Sequence, residues 1–200
     1  MKNFLKFVVV IPVCAVLFGC GGQEVRRVDD KTITDLSGRW NDTDSQLVTE
    51  QMVKEALDSA WLGDYLKAKG KNPTVIVGTI INKTDEHIDT GVFQNDIERT
   101  LTNSNRVTFV ASKEERQEVR DERADQQDYA SDKTKKEFKQ EMGADYMMQG
   151  TISSVVDQKQ GEKAVYYQVD MVLVDLATNA KTWYGQKKIK KIITRGGFGL

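Results

Sequence analysis

The sequence predicts an α+β domain, an α/β sandwich whose mixed four- to five-stranded sheet carries packed helices and ends in an antiparallel meander. Three observations lead there. Apolar residues recur at helical spacing from Val48 to Trp61. The run Val75-Ile76-Val77-Gly78-Thr79-Ile80-Ile81 is β-branched and almost continuously apolar. Past Gly143 the pattern changes to the two-residue alternation of strands.

Each element has a local reason. Asn41-Asp42-Thr43-Asp44 is rich in capping residues, and Thr43 with Gln46 fits a capping box. Val48, Met52, Val53, Ala56, Leu57, Ala60 and Trp61 share one face, with Glu50, Lys54, Glu55 and Asp58 opposite. One helix is expected, up to the break at Lys69-Gly70-Lys71-Asn72-Pro73. Val75 to Ile81 reads as a central strand covered on both faces. Asn82 to Thr90 is a polar loop, after which Asp89 or Thr90 can cap a helix burying Phe93, Ile97 and Leu101. Arg106 to Val110 is a short strand, reached through a helix and so parallel to the first. Ser112 to Gln127 and Ser131 to Met142 are dense in charge and read as two helices, the second with Phe138 and Met142 as its main apolar contacts. Asp145 to Val156, Val165 to Leu176 and Lys181 to Ile192 are the meander strands. A short loop at Ala177 to Ala180 and a looser one at Asp157 to Lys163 join them. Tyr166 and Tyr167 fall on opposite faces, and Trp61 and Trp183 are expected in the core.

The N-terminus organises the rest. Lys2 and Lys6 precede an uncharged apolar run from Phe7 to Phe18, then Gly19, so residues 1–19 read as a signal peptide. The run is shorter than the ~20 residues that a spanning helix needs. Leu17-Phe18-Gly19-Cys20 resembles the bacterial lipobox, which implies cleavage before Cys20 and its lipidation. Residues 20–35 follow as the lipidated Cys and a flexible tether, spanning roughly 20 Å as a coil and about 50 Å stretched. Residues 36–193 form the globular domain, and 194–200 a flexible tail. Cys14 leaves with the leader, so no disulfide framework is available. Loss of Lys2 and Lys6 takes the formal charge from -1 to -3, which leaves no basic field for nucleic acid.

Catalytic chemistry is not visible. His87 is the single histidine. With Asp85 and Glu86 it makes a weak metal pattern, and a loop residue bonding locally is the commoner role. No nucleophile and base are spaced for covalent catalysis. Glu114, Glu115, Asp121 and Glu122 alternate with Arg116, Arg120 and Arg123, the pattern of a solvated helix face. No catalytic residue, cofactor or metal is expected, and the chain is not read as an enzyme. The Asn82 to Thr90 loop follows a rigid strand, so Lys83, Glu86 and His87 are the candidate partner-binding residues.

Several segments, in order, carry a resemblance: Trp40-Asn41-Asp42-Thr43-Asp44, Met52-Val53, and Val77-Gly78-Thr79-Ile80-Ile81-Asn82-Lys83-Thr84-Asp85-Glu86-His87-Ile88-Asp89-Thr90. Arg106-Val107-Thr108-Phe109-Val110, Gly143-Ala144-Asp145-Tyr146 and Trp183-Tyr184-Gly185-Gln186-Lys187-Lys188-Ile189-Lys190-Lys191 complete it. Together they resemble the LpoB family of lipoprotein activators of penicillin-binding proteins, with related domains in CsgG and the TolB amino-terminal domain. The resemblance implies a non-catalytic lipoprotein, anchored on the periplasmic face of the outer membrane, that binds a class A penicillin-binding protein and stimulates peptidoglycan synthesis. Gly21 after the Cys matches the sorting pattern for that membrane. The alternative it implies is a structural or assembly lipoprotein of an envelope secretion or transport complex. The chain departs from the enteric activator in one respect: its tether is short and holds no proline.

Overall fold

The computed structural model describes residues 25–29, 32–131, 134 and 140–194. The signal peptide, Cys20, the tail from 195 onward and Phe138 lie outside the described residues. The chain divides into two compact units, Met1–Thr32 and Ile33–Leu200. In the first, residues 25–29 are exposed and without regular structure, and Thr32 N–H donates to the Asp29 carbonyl at 3.0 Å.

The second unit opens with α1 (Asp42–Asp58) and α2 (Ala60–Lys69). The expected single helix is therefore two. Ser59 is extended, and the Trp61 indole N–H turns back to the Ala56 carbonyl at 2.7 Å, satisfying a terminal group of α1. The cap also differs from expectation. Asn41, not Thr43, is the N-cap: its side chain accepts from Asp44 N–H at 3.0 Å, while Asp44 accepts from Asn41 N–H at 3.0 Å. Asp44 is drawn into that place by a lysine on a distant strand, described below.

Next come β1 (Thr74–Asn82), α3 (Thr90–Asn103) and β2 (Thr108–Phe109). Asp89 caps α3, which buries Phe93, Ile97 and Leu101. Then α4 (Lys113–Tyr129) is held at its start by a Ser112–Glu115 capping box and buries none of its described side chains. Of the second charged helix expected at Ser131 to Met142, the described residues 131, 134 and 140–142 are not helical and Met142 is exposed; the others lie outside the described residues.

The meander is β3 (Tyr146–Lys159), β4 (Glu162–Asp175) and β5 (Lys181–Thr194). Sheet order is β2-β1-β3-β4-β5, with β1 parallel to β2 and β3 and the meander antiparallel. The expected loose loop at Asp157 to Lys163 is instead a continuation of the strands, closed by Gln160 and Gly161 with φ of 31° and 88°. Two positive-φ residues match the twist of a tight hairpin, and glycine takes the larger excursion without a Cβ clash.

Helices α1 to α3 pack on one face of the sheet, and β1, though central, leaves Thr79 and Ile81 exposed. A register shift between Val77 and Ile80 turns Val75, Val77 and Ile80 to the core and leaves Ile81 exposed. The inner face of the meander packs Ile152, Tyr167, Val169, Met171, Leu173 and Trp183 against α1 to α3. Its outer face is left open, with Val155, Tyr184 and Ile192 exposed.

Candidate functional site

The Asn82–Thr90 loop is a built turn. Asn82 Oδ1 accepts from the Thr84 N–H and hydroxyl at 2.9 and 2.8 Å, and Asn82 Nδ2 donates to the Glu86 carbonyl at 2.8 Å. Asp89 takes the first N–H of α3 it can reach, that of Gly91, at 2.9 Å. The Glu86 side chain points inward. Its Oε1 accepts from the Tyr167 hydroxyl at 2.7 Å and its Oε2 from Trp40 N–H at 3.0 Å. Burial and this hydrogen bond push the Tyr167 hydroxyl well above the usual tyrosine range. Trp40 stands edge-on to Phe93 and Tyr167, with centroids 6.3 and 5.5 Å apart. Of the three candidates, Glu86 therefore joins the chain start to β4, whereas Lys83 and His87 are exposed on the loop.

A second junction lies beside it. Lys191 Nζ on β5 donates to Asp44 Oδ2 at 2.6 Å, Asp35 Oδ1 at 2.7 Å and the Arg39 carbonyl at 3.0 Å. The Lys191 and Asp44 side chains are only 10% and 4% exposed, so this is an interior pair. Burial opposes the charge on Lys191, but its bonds to Asp35 and Asp44 outweigh it and raise the ammonium above its ordinary range.

The open face of the meander holds an ordered polar cluster that the sequence pattern did not single out. Asp170 Oδ1 accepts from the Tyr184 hydroxyl at 2.6 Å and Gln186 Nε2 at 2.7 Å, and its Oδ2 accepts from Gln168 Nε2 at 2.8 Å. Burial alone would raise the Asp170 carboxyl, and the three donors more than offset it. Tyr184 is 57% exposed yet held by a charge-assisted bond, so it presents a rigid aromatic surface. The available signal was the β5 alternation, which sets Tyr184, Gln186, Lys188 and Lys190 against Trp183 and Gly185.

At the other end of the sheet, Trp61, Tyr65, Asp145, Asp175 and Leu176 line an open cleft of 810 Å³. Its acids are already committed. Asp145 Oδ2 accepts from the Tyr65 hydroxyl at 2.8 Å and Thr74 N–H at 2.7 Å, and Asp175 Oδ1 holds the Ala177 and Thr178 N–H groups at 2.8 Å. Among the described residues no group of three His, Cys, Asp or Glu could hold a metal ion. The geometry offers surfaces for recognition and no assembled catalytic centre among the described residues.

The family model described as peptidoglycan-synthase activator LpoB matches residues 44–189. The chain belongs to the LpoB family. That span takes in α1 through most of β5, including the Asn82–Thr90 loop and the Tyr184 cluster. No curated protein is similar enough to the chain to count as a match. Among solved structures, lipoprotein GNA1162 from Neisseria meningitidis is 14% identical, with 60% of this chain and 83% of that one covered and a TM-score of 0.40. The LpoB C-terminal domain from Salmonella enterica is 16% identical, with 65% and 93% covered and a TM-score of 0.34. A PelC dodecamer from Paraburkholderia phytofirmans is 18% identical, with 63% and 76% covered and a TM-score of 0.35. At those scores the assignment rests on the family match.

Proposed function

We propose that this LpoB-family chain is an outer-membrane lipoprotein, anchored through Cys20 on the periplasmic face, that binds a class A penicillin-binding protein and activates its peptidoglycan synthesis. The family match over residues 44–189 carries this reading. The short tether keeps the domain within about 50 Å of its membrane, so the synthase approaches it there. The Tyr184–Asp170–Gln186 cluster is the docking surface favoured here, because a rigid exposed aromatic ringed by satisfied polar groups has the make-up of a binding hot spot. Lys83 and His87 are the competing surface. Lysines at positions 181, 187, 188, 190 and 191 along the edge strand β5 disfavour edge-to-edge pairing, which weighs against an assembly subunit.

The test is binding of the full-length lipoprotein in detergent to its purified class A synthase. Tyr184→Ala should weaken binding by about tenfold or more, the loss of one hot-spot residue. Lys83→Glu with His87→Glu should change it little. Both variants should melt like the parent. Full affinity in Tyr184→Ala, with loss in the loop variant, would move the site to the loop.

A further inference from the structure

We propose that the cleft lined by Trp61, Tyr65, Tyr146, Asp64, Asp145 and Asp175 binds an organic cation, the ammonium or guanidinium group of a basic side chain or of a polyamine. This goes beyond synthase activation and does not depend on it.

An unpartnered hydroxyl is the first argument. Tyr146 is 7% exposed, and its side chain lines the cleft. Trp61 and Tyr65 stand edge-on to its ring, with centroids 5.0 and 5.7 Å away. Its hydroxyl takes part in no hydrogen bond among the described residues, whereas the Tyr65 hydroxyl beside it donates to Asp145 Oδ2 at 2.8 Å. A buried tyrosine hydroxyl ordinarily finds a partner within the protein. One left over at the wall of an open cleft can accept from an N–H group that enters. Burial first, and then the charges of Asp175 and Asp145, push the Tyr146 hydroxyl above its ordinary range, so it stays protonated in a field set by those acids.

Charge is the second. Asp64, Asp145 and Asp175 line the cleft against one base, Lys69. None of the four belongs to an ion pair among the described residues. Lys181 on β5 lies outside the lining, and counting it still leaves the acids in excess. The bonds that commit Asp145 and Asp175 to the fold each use one carboxylate oxygen, the first held by Tyr65 and Thr74, the second by the Ala177 and Thr178 N–H groups. Those bonds fix both acids in place, and each keeps a second oxygen. Hydrogen bonding from Thr178 holds the Asp175 carboxyl below its ordinary range, so it is ionised. No three of the acids converge closely enough to hold a metal ion among the described residues, whereas an organic cation can reach from one to the next. The volume of 810 Å³ is that of a small-molecule site. Its apolar floor of Trp61, Tyr65 and Leu176 suits the methylene stem of such a cation, and the carboxylates take the charged head. An anion would meet three like charges there.

The experiment titrates the full-length lipoprotein, in an uncharged detergent, with four probes followed by saturation-transfer NMR. Two are acetylated and amidated tripeptides with lysine or arginine between glycines. The third has norleucine in that place, which keeps the stem and removes the charge. The fourth is spermidine. The tightest of the cationic probes should bind about tenfold or more tightly than the norleucine peptide. Asp64 is exposed, and neither its carboxylate nor the Tyr146 hydroxyl bonds to the fold among the described residues. Asp64→Asn and Tyr146→Phe should therefore melt like the parent and weaken cation binding severalfold. Asp125→Asn, which removes the same charge from α4, should leave it unchanged. A tighter peptide names a basic protein side chain as the source of the cation, and tighter spermidine a free polyamine. Norleucine binding as well as lysine and arginine, or no saturable binding of any cationic probe, would overturn the proposal. Equal weakening in Asp64→Asn and Asp125→Asn would reduce the effect to the general attraction of an acidic chain and overturn it too. If Tyr146→Phe melts lower than the parent, Asp64→Asn against Asp125→Asn decides.

Discussion

Replacing Glu86 by alanine probes the junction that ties the chain start to the sheet. The carboxylate accepts from the Tyr167 hydroxyl at 2.7 Å and from Trp40 N–H at 3.0 Å. Hydrogen bonds to a charged group contribute about 1.5–3 kcal/mol each. Tyr167 is fully buried, so its hydroxyl proton would lose its carboxylate acceptor away from water. The loss should total about 3–5 kcal/mol, a large part of the 5–15 kcal/mol that holds a typical domain together. For a domain of this size that lowers the melting temperature by about 10–15 °C. Glu86→Gln, which keeps the shape and one acceptor, should lose roughly half as much. Urea unfolding followed by tryptophan fluorescence reads both, with Lys83→Glu as the neutral control from the same loop. A Glu86→Ala protein with a parental unfolding midpoint would refute the reasoning and return Glu86 to the exposed recognition surface.

Lys191→Ala should cost about 3–5 kcal/mol in the same assay, because Asp44 stays buried without its cation; a parental midpoint would show that the pair contributes nothing. Alkaline pH acts in a defined window. Burial and the Asp145 hydrogen bond push Tyr65 up to about 12 from its ordinary 10.0, so its contribution is intact below pH 10 and is lost as pH rises toward 12. Tyr65→Phe should flatten that fall, and an unchanged slope between pH 10 and 12 would contradict it. Amide exchange in α4 should be far faster than in β1, since α4 buries no described side chain while β1 is central in the sheet; equal protection would show α4 to be held by contacts of another kind.

The period of the apolar residues made the helices and strands legible. Phe93, Ile97 and Leu101 on α3 and the alternation through β4 were read directly, and both are buried as expected. Places where a side chain serves a distant partner were not legible. Asn41 displaced Thr43 as the cap because Asp44 also meets Lys191 on β5. The break at Ser59 depends on the Trp61 indole finding a carbonyl, which spacing does not encode. The β3–β4 hairpin was hidden because its outer positions are polar on both strands, so Asp157 to Lys163 resembled a loop. Of the candidate site, the loop was found from its position after β1. The inward turn of Glu86 was not, since Tyr167 is 81 residues away. Tyr184 went unnoticed because an exposed tyrosine in a strand is ordinary until its hydroxyl is seen fixed to Asp170.

Activation of a synthase is read out by glycan-strand polymerisation by the purified class A synthase, with and without the full-length lipoprotein in the same detergent. The rate should rise with the lipoprotein and saturate as it is titrated, with little stimulation by Tyr184→Ala. A rate unchanged at saturating lipoprotein would contradict it.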